Sequence, residues 1–196
     1  MRRNKGAVSA PGETPRPPRV SNKAPKENEK VPVKGACLIR RIIGVDPGLA
    51  STGWGVLEYS SGKLKYINHG CIETHAGDPR GERLVYIYKS FLKILKTYNP
   101  AEAAMENLYF GKNVSSAMTV AEARGVLLLA LSAHDLPVHE ITPNAIKKAV
   151  AGVTTADKNQ VQEMVRIILG LKEIPKPDHA ADALGAAICA AHTVIQ

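Results

Sequence analysis

Four side chains in this 196-residue chain are of the kinds that hold divalent cations or move protons: Asp46 after the apolar run IIGV, Glu106 after AEAAM, and His179 with Asp182 in PDHAADAL. His179 and Asp182 are spaced i,i+3, so a helix places both on roughly one face. Asp46 and Glu106 each close a β-type apolar segment, and a mixed sheet can bring two such strand ends together. Converging carboxylates repel one another in a partly dehydrated cleft, and a divalent cation offsets that cost. For phosphodiester hydrolysis, two Mg²⁺ ions in such a cluster would activate water and stabilise the leaving oxygen, with Asp46 bridging, Glu106 on one ion, and His179 and Asp182 on the other. Asp178 shares a helical face with Asp182 at i,i+4 and rivals His179 as a ligand; its simpler reading is a helix N-cap. Spacing alone leaves Asp46 open as a turn carboxylate, Glu106 as a strand-end charge, and His179 and Asp182 as surface groups.

The elements that must position these residues are legible from periodicity. CLIRRIIGVDPG predicts a strand ending at Asp46, and WGVLEYSSGKLKYINHGCIET predicts two antiparallel strands joined around Ser60 to Gly62. GERLVYIYKSFLKILKTYNP puts Leu84, Ile87, Tyr88, Phe91, Leu92 and Leu95 at helical spacing before the stop at Asn99-Pro100. AEAAMENLYF predicts a core strand, residues 115–134 a helix, and LPVHEI another strand. TPNAIKKAVAG predicts a helix with Pro143 in its first turn. DKNQVQEMVRIILGL predicts one capped at Thr155 or Asp157, and PDHAADALGAAICAAHTVI a final alanine-rich helix. The order β-β-β-α-β-α-β-α-α-α predicts an α/β fold, a mixed five-stranded sheet flanked by helices. Gly44, Gly48, Gly53 and Gly55 surround the first acidic position and suit tight turns and close strand approach, without forming a dinucleotide fingerprint or Walker loop.

Charge divides the chain. Residues 1–40 carry ten Lys/Arg against three Asp/Glu, which leaves a net +1 for residues 41–196 out of a total of +8. The first 40 residues read as a basic, proline-rich, disordered leader and residues 41–196 as the folded domain, so the domain's partners must be argued from its own residues. Organellar import is the lesser reading of the leader, because its prolines would break a long amphipathic helix. Cys37, Cys71 and Cys189 lack metal-knuckle spacing, which argues against structural zinc and for a reducing compartment. No apolar stretch reaches transmembrane length and no secretory signal is apparent, so no membrane partner is expected.

Three segments, GVDPGLASTGWGVLE, AMENLYFGKNVSSAMTVAEARG and PDHAADALGAAI, together with GCIET and AVAGVTTADKNQVQEMV, resemble the signature regions of the RuvC Holliday-junction resolvase family in order and spacing. The resemblance runs from about Arg41 through the last helix. It implies an RNase H-like fold and a homodimer that resolves four-way Holliday junctions by paired symmetric nicks, leaving 5′-phosphate and 3′-hydroxyl ends. It also implies Mg²⁺, two ions per active site, with Mn²⁺ as an alternative. RuvA and RuvB, the branch-migration proteins, would be partners, and the location cytoplasmic and nucleoid-associated. The family's active site matches Asp46, Glu106, His179 and Asp182, with histidine at a position where many members have a carboxylate; imidazole shifts the expected preference toward Mn²⁺.

Lys112, Lys147, Lys148 and Lys158 are phosphate-contact candidates, with Arg124 if its face is exposed. By resemblance, Lys147 and Lys158 match basic positions tied to DNA contact and catalysis, Tyr109 matches an aromatic that engages bases near the crossover, and the 115–134 helix matches the dimerisation region, with Met118, Ala121, Leu128 and Leu131 as contact residues. Phe110 is expected to be buried. Other readings are a different RNase H-like nuclease, a noncatalytic junction-binding scaffold, and an ATP-handling actin-like module whose second half does not fit in 156 residues.

Overall fold

The computed structural model describes residues 39–107 and 114–193. Most of the leader, together with Cys37, Tyr109, Phe110 and Lys112, therefore lies outside the described residues. The elements run β1 (Arg40–Asp46), β2 (Ser51–Ser60), β3 (Lys63–Glu73), α1 (Arg80–Tyr98), β4 (Glu102–Glu106), α2 (Val114–Ser132), β5 (Val138–Ile141), α3 (Pro143–Ala151), α4 (Lys158–Ile168) and α5 (Asp178–Thr193). This is the order the periodicity predicts. The sheet order is β3-β2-β1-β4-β5. The first three strands pair antiparallel, whereas β4 runs parallel to both β1 and β5.

Local chemistry sets the boundaries. Ser61 and Gly62 take positive φ in the β2–β3 turn, and Asn99 ends α1 in the left-handed conformation. Thr142 caps α3 by accepting from the Ala145 N–H, with Pro143 in the first turn. Asp157 and Gln160 form a reciprocal capping box on α4, which selects Asp157 over Thr155.

Alternation along β1 divides the core. Ile42 belongs with α3, α4 and α5 on one face of the sheet, while Ile43 and Val45 belong with α1 and α2 on the other. Helix α5 is buried from Ala180 through Ala191 apart from Asp182, hence its alanine-rich sequence. Among the described residues no helix is long and apolar enough to cross a membrane.

Two sequence expectations change here. Asp178 is the first residue of α5 and not its N-cap; its carboxylate lies 3.3 Å from the Lys158 ammonium. Leu131 is wholly buried in the core and presents no contact surface, whereas Leu128 is half-buried, as Ala121 is. The outward stripe of α2 runs Met118, Ala121, Gly125, Leu129, because steps of three and four keep one face turned outward.

Candidate active site

The strand register brings the first two carboxylates together. Val45 pairs with Met105 across parallel strands β1 and β4, so the next residues, Asp46 and Glu106, leave neighbouring strands side by side. Alternation turns both toward α5, as it does Gly44 and Ala104 two residues earlier. The turn after Asp46 is held through its carbonyls: the Thr52 hydroxyl donates to Gly48 O at 2.7 Å and the Thr74 hydroxyl to Leu49 O at 2.6 Å. Arg83 donates to that Thr74 hydroxyl at 2.8 Å, which ties the turn to α1.

The other two side chains arrive from α5, and glycine makes this approach feasible. A Cβ on Gly44 would collide with the Ala183 carbonyl, and a Cβ on Gly53 with the carbonyl of His179. Since Gly53 is the register partner of Asp46, the first turn of α5 lies directly against the strand beside that carboxylate. His179 Nδ1 consequently donates to Asp46 Oδ2 at 2.7 Å. Asp46, His179 and Asp182 each offer a ligand atom within 4.8 Å of the others. Glu106 faces this trio and lines a cleft of about 170 Å³ with Asp182, Lys147, Lys158, Pro143, Ile146 and Val161.

The charges are under-compensated. Burial, then Asp46 and Asp182, push the Glu106 carboxyl above its usual range. Burial and Asp46 do the same to Asp182, against the opposing pull of Lys158 and His179. The hydrogen bond to Asp46 raises the His179 imidazole although burial works the other way. Lys158 spans Asp178 at 3.3 Å and Asp182 at 3.2 Å; burial disfavours its charge, but the two carboxylates outweigh that and raise it. Two oxygen donors and an imidazole within one ion's reach, beside a third dehydrated carboxylate, make a donor set that fits a divalent cation.

Of the basic candidates, Lys147 and Lys158 line the cleft, whereas Lys148 is exposed and outside that lining. Arg124 does not face outward as a phosphate contact would. Its side chain is 11% exposed, Nη1 donates to the Glu106 carbonyl at 2.7 Å, and Nη2 pairs with Glu140 at 2.9 Å. Sequence reading passed over Asn107, Thr52 and Thr74. Asn107 lines a second cleft of about 180 Å³ with Asp46, Pro47, Glu106, Val120 and Arg124. Its place directly after Glu106 was the available signal. The threonines gave none, because their partners are backbone carbonyls fixed only by folding.

Residues 42–190 match the family model described as "Crossover junction endodeoxyribonuclease RuvC". A protein so described from Chloroflexus aurantiacus is 53% identical over 153 residues, covering 78% of this chain and 93% of the relative. One from Treponema denticola is 54% identical over 147 residues, covering 75% and 83%. Among solved structures, Thermus thermophilus RuvC in complex with Holliday junction substrate superposes with a TM-score of 0.72 at 34% identity, covering 76% of this chain and 92% of that one. The yeast mitochondrial Holliday junction resolvase shares the fold at a TM-score of 0.58 and 14% identity, covering 78% and 79%. With the match extending from β1 through most of α5 and taking in all four cleft residues, this chain belongs to the RuvC family of crossover junction endodeoxyribonucleases.

Proposed function

We propose that this chain is a structure-specific endonuclease that cuts four-way Holliday junctions by metal-dependent phosphodiester hydrolysis. The carrying observation is the clustering of Asp46, His179 and Asp182 within 4.8 Å beside Glu106, where the ends of β1 and β4 meet α5. Asp46 is central by position, sharing a hydrogen bond with His179 and facing both Glu106 and Asp182. Asp46, Glu106, His179 and Asp182 are the residues that would hold two Mg²⁺ ions, or Mn²⁺ given the imidazole. When bound, such ions supply activation of the attacking water and neutralise charge on the leaving 3′ oxygen.

The chain's own groups account for the rest. The His179 Nδ1 proton sits against Asp46 and must leave that position before the imidazole can act as a ligand there. Lys158 pairs with Asp178 and Asp182 and, with Lys147 on the same wall of the cleft, is assigned to a phosphate of the strand being cut. Lys148 is assigned to a more distant phosphate, Lys112 to the phosphate backbone, and Tyr109 to the unpaired bases at the crossover. The exposed Met118 and Leu129, on one stripe of α2, support a twofold dimer that would present two sites to a substrate of matching symmetry. RuvA and RuvB are proposed as partners, and the nucleoid as the location, on the strength of the family resemblance alone.

The test is incision of labelled four-way junctions compared with linear duplex and RNA–DNA hybrid. Paired, symmetry-related nicks in the junction alone, dependent on Mg²⁺ or Mn²⁺, are expected. Equal cutting of duplex would favour a general RNase H-like nuclease, and metal-independent binding without incision a scaffold.

A further inference from the structure

The cleft is bounded on the β4 side by the peptide group that joins Glu106 to Asn107, and both polar atoms of that group are held. Its N–H, on Asn107, donates to the Ile141 carbonyl of β5 at 2.8 Å. Its carbonyl, on Glu106, accepts from Arg124 Nη1 at 2.7 Å. The β1–β4 ladder stops at Val45 and Met105, so the neighbouring strand does not hold this carbonyl. An arginine from α2 therefore does what the sheet no longer does. The guanidinium is itself braced, since Nη2 pairs with Glu140 Oε2 at 2.9 Å and only 11% of the side chain is exposed.

From this geometry we infer that Arg124 is a positioning residue for the cleavage reaction, fixing the backbone of Glu106 so that its carboxylate meets Asp46 and Asp182 across the cleft. The inference rests on the reading of Glu106 as a metal-holding group. Arg124 acts through the carbonyl and not by offsetting the carboxylate's charge: burial, Asp46 and Asp182 set the Glu106 carboxyl, and all three raise it. A planar fork reaching a carbonyl and a carboxylate at once is a geometry that lysine only half reproduces. Small displacements of a catalytic group carry large rate penalties, so loss of this grip should appear in chemistry ahead of folding.

The experiment compares the full-length wild type with Arg124→Met, Arg124→Lys and Glu140→Gln. Two readouts are used: Mn²⁺ binding to the DNA-free protein, by titration calorimetry or electron paramagnetic resonance, and single-turnover junction cleavage beside junction affinity measured without divalent metal. Arg124→Met is expected to weaken Mn²⁺ binding about tenfold and slow cleavage about 30-fold, with junction affinity within about twofold of wild type. Arg124→Lys should recover part of both losses, and Glu140→Gln, which leaves the Glu106 contact in place, should cost under about threefold. Unchanged Mn²⁺ binding by Arg124→Met would overturn the inference, as would a cleavage loss matched by an equal loss of junction affinity, which would make Arg124 a DNA contact. If Arg124→Met fails to fold, Arg124→Lys decides by the same two readouts, and wild-type behaviour overturns the inference. A wild-type protein that binds Mn²⁺ but does not cut junctions refutes the proposed function and leaves the metal-binding arm to judge Arg124.

Discussion

Strand β4 carries a glutamate at each end of one face, and the two sit in opposite electrostatic surroundings. Glu102 is 6% exposed and receives Arg40 Nε and His139 Nε2 at 2.7 Å each. Arg40 lies 5.6 Å from the centre of the Tyr59 ring, which covers it. Burial alone would raise the Glu102 carboxyl, but Arg40 and His139 together hold it below its usual range. Glu106 is raised by burial, Asp46 and Asp182, so the same residue type, four positions along, sits among like charges instead of opposite ones. One end of the strand is arranged for stability and the other gathers like charges, and uncompensated burial of charge is what separates them.

The largest effect should come from Asp46→Asn, which removes the central charge and nearly preserves volume. Single-turnover junction cleavage should fall by about three orders of magnitude while the variant folds and binds junctions at least as tightly. Near-normal cleavage would end the comparison, because the site would not need its most central carboxylate. Next comes Gly53→Ala, whose new Cβ would meet the His179 carbonyl. Forcing α5 off the strand should cost about 3 kcal/mol in chemical denaturation and lower cleavage by at least about tenfold. A fully stable, active variant would show that α5 does not need close contact with β2.

Glu102→Gln should have its effect at the other end. Breaking a buried pair should lower stability by about 3 kcal/mol, with cleavage at a permissive temperature within about twofold of wild type. The sign of the pH dependence follows from the depressed carboxyl: its contribution is present above the unfolded-state pKa and is lost as pH falls through the folded value. Glu106→Gln should do the opposite in metal-free protein. The Glu106 carboxyl is raised on folding, so its favourable contribution is present below the unfolded pKa and is lost as pH rises through the folded value. The variant should accordingly be more stable than wild type near neutral pH, read as a higher midpoint in denaturant. Destabilisation there would mean that something in the metal-free protein already pairs the Glu106 charge. The smallest effect is assigned to Asp178→Asn. Its carboxylate is 63% exposed and shares Lys158 with Asp182, so cleavage within about twofold of wild type is expected. A severe loss would make Asp178 a ligand in place of His179.

The contrast between the two glutamates was only half legible beforehand. Glu106 stood out because it closes an apolar strand in a recognisable segment, whereas Glu102 in the same AEAAME run carried no local sign of Arg40 or His139, which lie 62 and 37 residues away. Arg124 shows the same limit. Its type suggested a phosphate contact, and its actual partners, a strand-end carbonyl and Glu140, are chosen by the packing of α2 against the end of β4. Leu131 misled for a related reason: an apolar helix with small residues offers several plausible faces, and only the neighbouring α1 and sheet decide which is covered.

Sequence alone determined the element order, Pro143 in the first turn of α3, the acidic strand ends and the i,i+3 pair on α5, because these depend on local periodicity and on spacing along the chain. Tertiary structure decided that Asp46, His179 and Asp182 come within 4.8 Å, that Lys158 spans two carboxylates, and that Arg124 serves the Glu106 backbone. Strand register, close helix approach over Gly44 and Gly53, and the balance of burial against charge are properties of segments distant in the chain, and they exist only once the sheet and its helices have assembled.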